Sequence, residues 1–124
     1  MPSFNCWIVV SLLRREKGQL AERQAARYLK RRGLKWVASN YHSRFGEIDL
    51  VCKDGGQWVF VEVRSRSSSR FMQPVESINP AKQRRLWLTA QAYLQQLPRG
   101  SQASARFDVV SVVAGRCQWI KNAF

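Results

Sequence analysis

The sequence predicts a single α/β domain, a mixed central β-sheet flanked by helices. Three observations predict it: a helical segment ahead of the strands, three consecutive strand-like runs joined by turn residues, and a second helix followed by two more strands. A chain of 124 residues can bury one hydrophobic core without disulfide support. With 45% apolar residues it belongs among globular rather than disordered chains.

The elements follow in order. Residues 1–17 read as an N-terminal extension to a domain spanning residues 18–124. Within it, Cys6-Trp-Ile-Val-Val-Ser-Leu-Leu13 is apolar but too short to span a bilayer. It also lacks the basic start and small-residue cleavage site of a signal peptide. Gln19 to Arg32 reads as a helix, with Lys30-Arg31-Arg32 suited to its C-terminal dipole and Gly33 closing it. Leu34 to Tyr41 follows as a first strand with Trp36 and Ala38 inward. Glu47–Lys53 and Trp58–Arg64 are rich in β-branched and aromatic residues, and Asp54-Gly55-Gly56-Gln57 between them is a hairpin turn. Arg64 to Asn79 reads as a polar, basic loop. Asn79 then caps a second helix with Pro80 at its first position. That helix places Leu86, Ala90, Tyr93, Leu94 and Leu97 on one stripe and stops before Pro98. Arg106–Val113 and Cys117–Ile120 close the chain as two strands around Gly115.

Charge narrows the partner. There are 21 Lys+Arg against 8 Asp+Glu, a formal net charge of +13. Such self-repulsion works against compactness and commonly serves a polyanion, for which counterion release drives binding. Nucleic acid is the leading partner, ahead of an anionic membrane or a basic surface kept for solubility. Cys6, Cys52 and Cys117 are odd in number and widely spaced, and His42 is the single histidine. They fit neither a disulfide framework nor a zinc site, and they suit a reducing, cytoplasmic setting.

Two carboxylates stand out. With Gly55 and Gly56 at the centre of the turn, Asp49 falls opposite Glu62, and Glu47 opposite Arg64. Residues so paired share a face at ~5 Å between Cβ atoms, where like charges repel. Asp49 and Glu62 each interrupt an apolar run, so both are expected to be partly desolvated, needing a shared proton or a cation between them. Hard oxygen ligands without histidine or cysteine point to Mg²⁺ or Mn²⁺. The alternative is that both acids face solvent and pair with arginines. On the first helix Glu22 lies three, four and seven residues from Ala25, Ala26 and Leu29, which places it on their apolar face. Alternatively, Ala21, Ala25 and Tyr28 face inward, and Glu22 sits at the edge bonded to an arginine.

Gly46-Glu-Ile-Asp49, a hairpin, then Phe60-Val-Glu62-Val-Arg64 resembles the D…ExK signature of restriction-endonuclease-like nucleases. The wider pattern resembles the YraN-like family of predicted Holliday-junction-resolvase-like proteins. It comprises Gly18-x-x-Ala21-Glu22, Ala25-x-x-Tyr28-Leu29, Asn40-Tyr41, Lys82-x-x-Arg85-Leu86, Ala92-Tyr93-Leu94 and Arg106-Phe-Asp108, and covers Gly18 to Ile120. The resemblance implies a restriction-endonuclease-like three-layer domain that cuts branched or structured DNA with Mg²⁺ or Mn²⁺. Asp49 and Glu62 would be metal ligands together with the Val63 carbonyl, and Glu22 would contribute from the helix, directly or through water. Position 64 would hold a lysine that orients water, and Gln83 or Arg85 would approach the phosphate. Pairing into a homodimer is common among such folds. The chain departs from the pattern at Arg64, since a guanidinium keeps its proton and cannot serve as a base. It can still grip a phosphate, or form a cross-strand ion pair with Glu47.

The remaining basic residues fall into two groups. Arg64, Arg66 and Arg70, spaced by serines, suit either phosphate contacts or a solvated loop. Lys82, Arg84 and Arg85 sit in the first turns of the second helix, where the dipole disfavours cations, which favours a phosphate partner, though a nearby carboxylate would serve too. Trp7, Trp36, Trp58, Trp87 and Trp119 are expected mostly in the core, and Asp108 is expected to be structural. Two functions are therefore expected: a metal-dependent endonuclease with Glu22, Asp49, Glu62 and Arg64 at its centre, or a DNA- or RNA-binding module whose nuclease site is degenerate. A third is a structural partner in a DNA-processing complex.

Overall fold

The computed structural model describes residues 6–66, 78–99 and 102–124, with side chains of the first helix described from Gly18 onward. Helix α1 (Cys6–Arg31) leads into β1 (Lys35–Ser43), β2 (Gly46–Asp54) and β3 (Gln57–Arg66). Helix α2 (Pro80–Gln95) then precedes β4 (Ala105–Val113) and β5 (Arg116–Ile120). The five strands form one sheet in the order β1-β2-β3-β4-β5, antiparallel except for the parallel pair β3/β4. Joining parallel neighbours requires a crossover, and α2 lies within it.

The two helices cover opposite faces, giving three layers. Side chains alternate along a strand, so Val59 and Val61 join Ala21, Ala25 and Leu29 of α1, while Phe60 joins Leu86 and Ala90 of α2. Phe107 and Val109 of β4 pack on the α2 side and Val110 and Val112 include the α1 side, so β3 and β4 are buried on both faces. Tyr93 of α2 sets its ring edge-on to Tyr41, Trp58 and Phe60. These contacts tie the helix to β1 and β3.

Local chemistry accounts for most element boundaries. Gly33 adopts φ 97° after α1, with the Leu34 amide bonding to the Leu29 carbonyl and the Gly33 amide to Lys30, the double bond of a Schellman cap. Gly55 takes φ 60° in the β2–β3 turn, and Ala114 and Gly115 take φ 48° and 78° between β4 and β5. Asn79 Oδ1 accepts the Lys82 amide at 2.8 Å, and Pro80 opens α2.

Three expectations are corrected. The segment before Gln19 is not separate from the first helix, because α1 runs unbroken from Cys6. Leu12 to Lys17 contains good helix formers, and one glycine at position 18 costs only about 1 kcal/mol. Trp36 does not point inward: the register shifts between Trp36 and Ala38, the bulge breaks the alternation, and the indole is 42% exposed. The basic loop begins later than Arg64, since β3 continues to Arg66 alongside β4. Cys52 is buried and Cys117 half-buried, both as free thiols. Among the described residues no helix is long and apolar enough to cross a membrane.

Candidate functional site

The site begins where β2 and β3 part. Their ladder runs from Asp54↔Gln57 to Leu50↔Val61, the register that the turn predicts, and ends one pair short of Asp49 and Glu62. There the Asp49 carboxylate accepts the Val63 amide at 2.8 Å, taking the place of a backbone carbonyl. Face alternation breaks at the same point: Leu50 belongs to the α1-side cluster, while Ile48 belongs to the α2-side cluster. On β1, between the pairs Ser39↔Leu50 and Tyr41↔Ile48, Asn40 adopts φ 55°. Asparagine tolerates this left-handed conformation better than most residues. Two adjacent strands thus distort together around Asp49.

Glu62 follows Val61 and so turns to the α2 side, where it is 7% exposed. Lys82 reaches it from the first turn of α2, with Nζ donating to Oε1 at 2.9 Å. Arg64 Nε lies 3.6 Å from the same oxygen. Arg64 Nε and Nη2 are buried without a hydrogen-bond partner among the described residues. The expected pair between Arg64 and Glu47 does not form. The ladder ends before either residue, and the ion pair of Glu47 is with His42 at 3.6 Å.

Asp49 and Glu62 line one cleft of about 270 Å³ with Glu47, Lys82, Arg85 and the Phe45-Gly46 turn. Burial first, and Glu62 second, push the Asp49 carboxyl up to about 8, against the opposing hydrogen bond from Val63. Glu22 and Glu47 add to the same repulsion. Glu22 itself stands at the edge of the α1 stripe, where Ala21, Ala25 and Leu29 are buried. Its carboxyl is raised by burial, lowered by a hydrogen bond with Asn40 rather than an arginine, and raised again by Glu47 and Glu62. It lines a neighbouring cleft between α1 and β1. Among the described residues no three acidic, histidine or cysteine side chains converge as a ready-made metal set.

The sequence-predicted residues therefore divide. Asp49, Glu62, Lys82 and Arg85 share the cleft, Arg64 touches it through Glu62, and Glu22 acts on it through its field. Gln83 donates its amide to the Ile78 carbonyl at 3.1 Å, Arg84 is exposed, and Arg66 ends β3 half-buried. Arg70 lies outside the described residues. Sequence reasoning missed Asn40 as the hydrogen-bond partner of Glu22 and Lys82 as the partner of Glu62. A polar Asn-Tyr pair inside a strand was the available signal for Asn40. Asp108 proves structural: it is fully buried and accepts from Arg106, Trp119 and the Asn122 amide.

Fold and site together define an α/β domain with an acidic, lysine-bridged notch at the fork of two strands. The chain belongs to the uncharacterised protein family UPF0102, whose model matches residues 21–112. It is 45% identical over 114 residues to a UPF0102 protein of Nitrosococcus oceani, covering 89% of this chain and 92% of that one. A UPF0102 protein of Shewanella pealeana is 46% identical over 108 residues, covering 87% and 95%. One from Cupriavidus pinatubonensis is 47% identical over 109 residues, covering 87% and 84%. The family is the one to which the YraN-like motifs pointed.

Proposed function

We propose that the protein binds nucleic acid and hydrolyses phosphodiester bonds in branched or structured DNA, using Mg²⁺ or Mn²⁺ held by Asp49 and Glu62. One observation carries this reading: Glu62, buried, and Asp49, half-buried, face one cleft, where burial first and Glu62 second push the Asp49 carboxyl up to about 8. A divalent cation relieves that repulsion, and an all-oxygen donor pair suits a hard ion. Asp49 and Glu62 would supply two oxygen donors to such an ion, with Lys82 paired to one oxygen of Glu62. When bound, the ion would acidify a water and offset charge developing on the phosphate. The chain's own groups supply the rest. Lys82 and Arg85 offer cationic donors to phosphate oxygens at the mouth of the cleft, and Arg64, 3.6 Å from Glu62, adds positive charge behind them. Burial weakens solvent screening of Glu62 and, in part, of Arg64 and Lys82.

A second reading rests on Arg64. Because its guanidinium stays protonated, the same cleft in a chain of charge +13 would bind without cutting. Cleavage of single-stranded, duplex and four-way-junction DNA with Mg²⁺ or Mn²⁺ separates the two. Under the nuclease reading wild type cuts, Asp49→Ala does not, and Arg64→Lys cuts faster. Equal cutting by wild type and Asp49→Ala would expose a contaminant. Tight, salt-sensitive binding without cutting by either wild type or Arg64→Lys would leave the binding module. Calorimetric titration of Mg²⁺ or Mn²⁺ into wild type and Glu62→Gln tests the ion without any substrate; equal heats from both would sink the proposed site.

A further inference from the structure

The described residues hold a second cleft larger than the acidic one, about 540 Å³, between α1 and the edge strand β1. Its α1 wall carries Arg23, Arg27 and Lys30, four and three residues apart, a basic ridge along about 10 Å of helix. All three are exposed, and among the described residues none makes an ion pair. Its β1 wall carries Trp36, which the bulge turns out of the core, so that it and Leu20 are the exposed large apolar side chains. Trp36 is held in place: its Nε1 donates to Ser39 Oγ at 3.0 Å, and the Lys30 ammonium rests 5.3 Å from the ring centroid. Glu22 and Asn40, hydrogen-bonded together, also line the cleft, and the charge of Glu22 reaches Asp49.

We infer that this cleft is a binding site for an unpaired nucleic-acid strand, with Trp36 stacking on a base and Arg23, Arg27 and Lys30 holding its phosphates. The inference rests on the nucleic-acid reading above and names the part of the substrate it requires. A cationic groove beside an exposed aromatic ring is the arrangement that binds single strands regardless of sequence. A base can lie flat on an indole only when it has left its own helix, so duplex DNA cannot use Trp36. The flexible Lys30 ammonium can move from the ring to a phosphate, leaving the ring to the base. Glu22, which lines this cleft, acts through its charge on Asp49 in the acidic one, so the two clefts are neighbours. A substrate with an unpaired segment next to its scissile bond fits both clefts at once.

Binding without cleavage tests this. Anisotropy of a fluorescein-labelled oligothymidylate, a uridylate strand of equal length and a DNA duplex would be measured with wild type in a chelator. The same measurements would be made with Trp36→Ala, Trp36→Phe, Arg27→Gln and Asp49→Asn. Wild type should prefer the single strands, with the DNA and RNA arms showing whether the 2′-hydroxyl matters. Trp36→Ala should weaken single-strand binding about tenfold and leave duplex binding unchanged, while Trp36→Phe retains most of it. Arg27→Gln should lower the salt slope by about 0.7 on a single strand. Asp49→Asn removes an acid from the neighbouring cleft and should bind at least as tightly as wild type. Trp36 is an exposed side chain, and equal melting temperatures would confirm that its variants are folded. Single-strand binding unchanged in Trp36→Ala, or duplex binding lost to the same degree, would overturn the inference while leaving the acidic site standing. Binding to none of the three probes would overturn the nucleic-acid reading with it.

Discussion

At the scale of single residues, Asp49 stores the most consequence. Its carboxyl titrates near 3.8 in an ordinary setting and at about 8 in the fold, raised by burial and by Glu62. A raised acid means that the folded protein holds a proton that the unfolded chain releases between those values. Stability of the metal-free protein should therefore fall as pH rises from about 4 to about 8, then level off once both states are ionised. Asp49→Asn keeps an oxygen for the Val63 amide and removes the charge. It should raise stability by about 1–2 kcal/mol near neutral pH, as removal of a strained functional acid often does, and flatten the slope. Urea denaturation in a chelator between pH 5 and 8.5 checks this; parallel curves for the two proteins would refute it. Asp108 shows the contrary case of an acid buried among donors. It meets Arg106 Nε at 3.1 Å and Trp119 Nε1 at 2.9 Å, and Arg106 Nη1 continues to Asp54 and Gln57. Asp108→Ala strands a buried guanidinium and should cost about 3–5 kcal/mol, read as a large drop in the denaturation midpoint.

At the scale of elements, α2 positions chemistry as well as filling the core. Its cap fixes the first turn, and the first turn delivers Lys82 to Glu62. Asn79→Ala should destabilise the protein by about 1 kcal/mol. It should also loosen Lys82, so that amide exchange in the first turn of α2 rises while that in β3 does not. Strand β3 explains why the notch opens where it does. Through its first half it bonds to β2 on one edge and β4 on the other, and beyond Val61 only the β4 ladder continues. The freed edge is where the Val63 amide meets Asp49. The hairpin register was legible from Gly55 and Gly56, because a tight turn sets the pairing of its own strands. The end of that pairing was not, because it depends on β4, some forty residues away along the chain.

At the scale of the whole molecule, charge sets the interaction. A formal +13 concentrates polyanions, and each phosphate contact releases counterions. Nucleic-acid binding should weaken steeply with salt, linearly in log–log form. Fluorescence titrations from about 50 to 200 mM salt should show a loss of about 10³-fold or more if six or more phosphates are contacted. A flat response would mean that the basic surface serves something else. The sheet separates the two helices onto opposite faces, with the basic cleft between α1 and β1 and the acidic cleft beside α2. Glu22 lines the first, and its charge reaches Asp49 in the second.

Element order and the caps at Gly33 and Asn79 were readable from the residues alone, because propensity, capping and turn geometry act over a few neighbours. Asp49 and Glu62 stood out for the same reason, as charges inside short apolar runs. Tertiary structure decided the rest: that Asp49 bonds to Val63, that Lys82 rather than a neighbour in sequence meets Glu62, that Arg64 keeps donors free, and that a bulge turns Trp36 outward. Each of these depends on which strand or helix packs alongside. Long-range packing sets where a side chain points, whereas local spacing sets only which face it would take in a regular strand or helix.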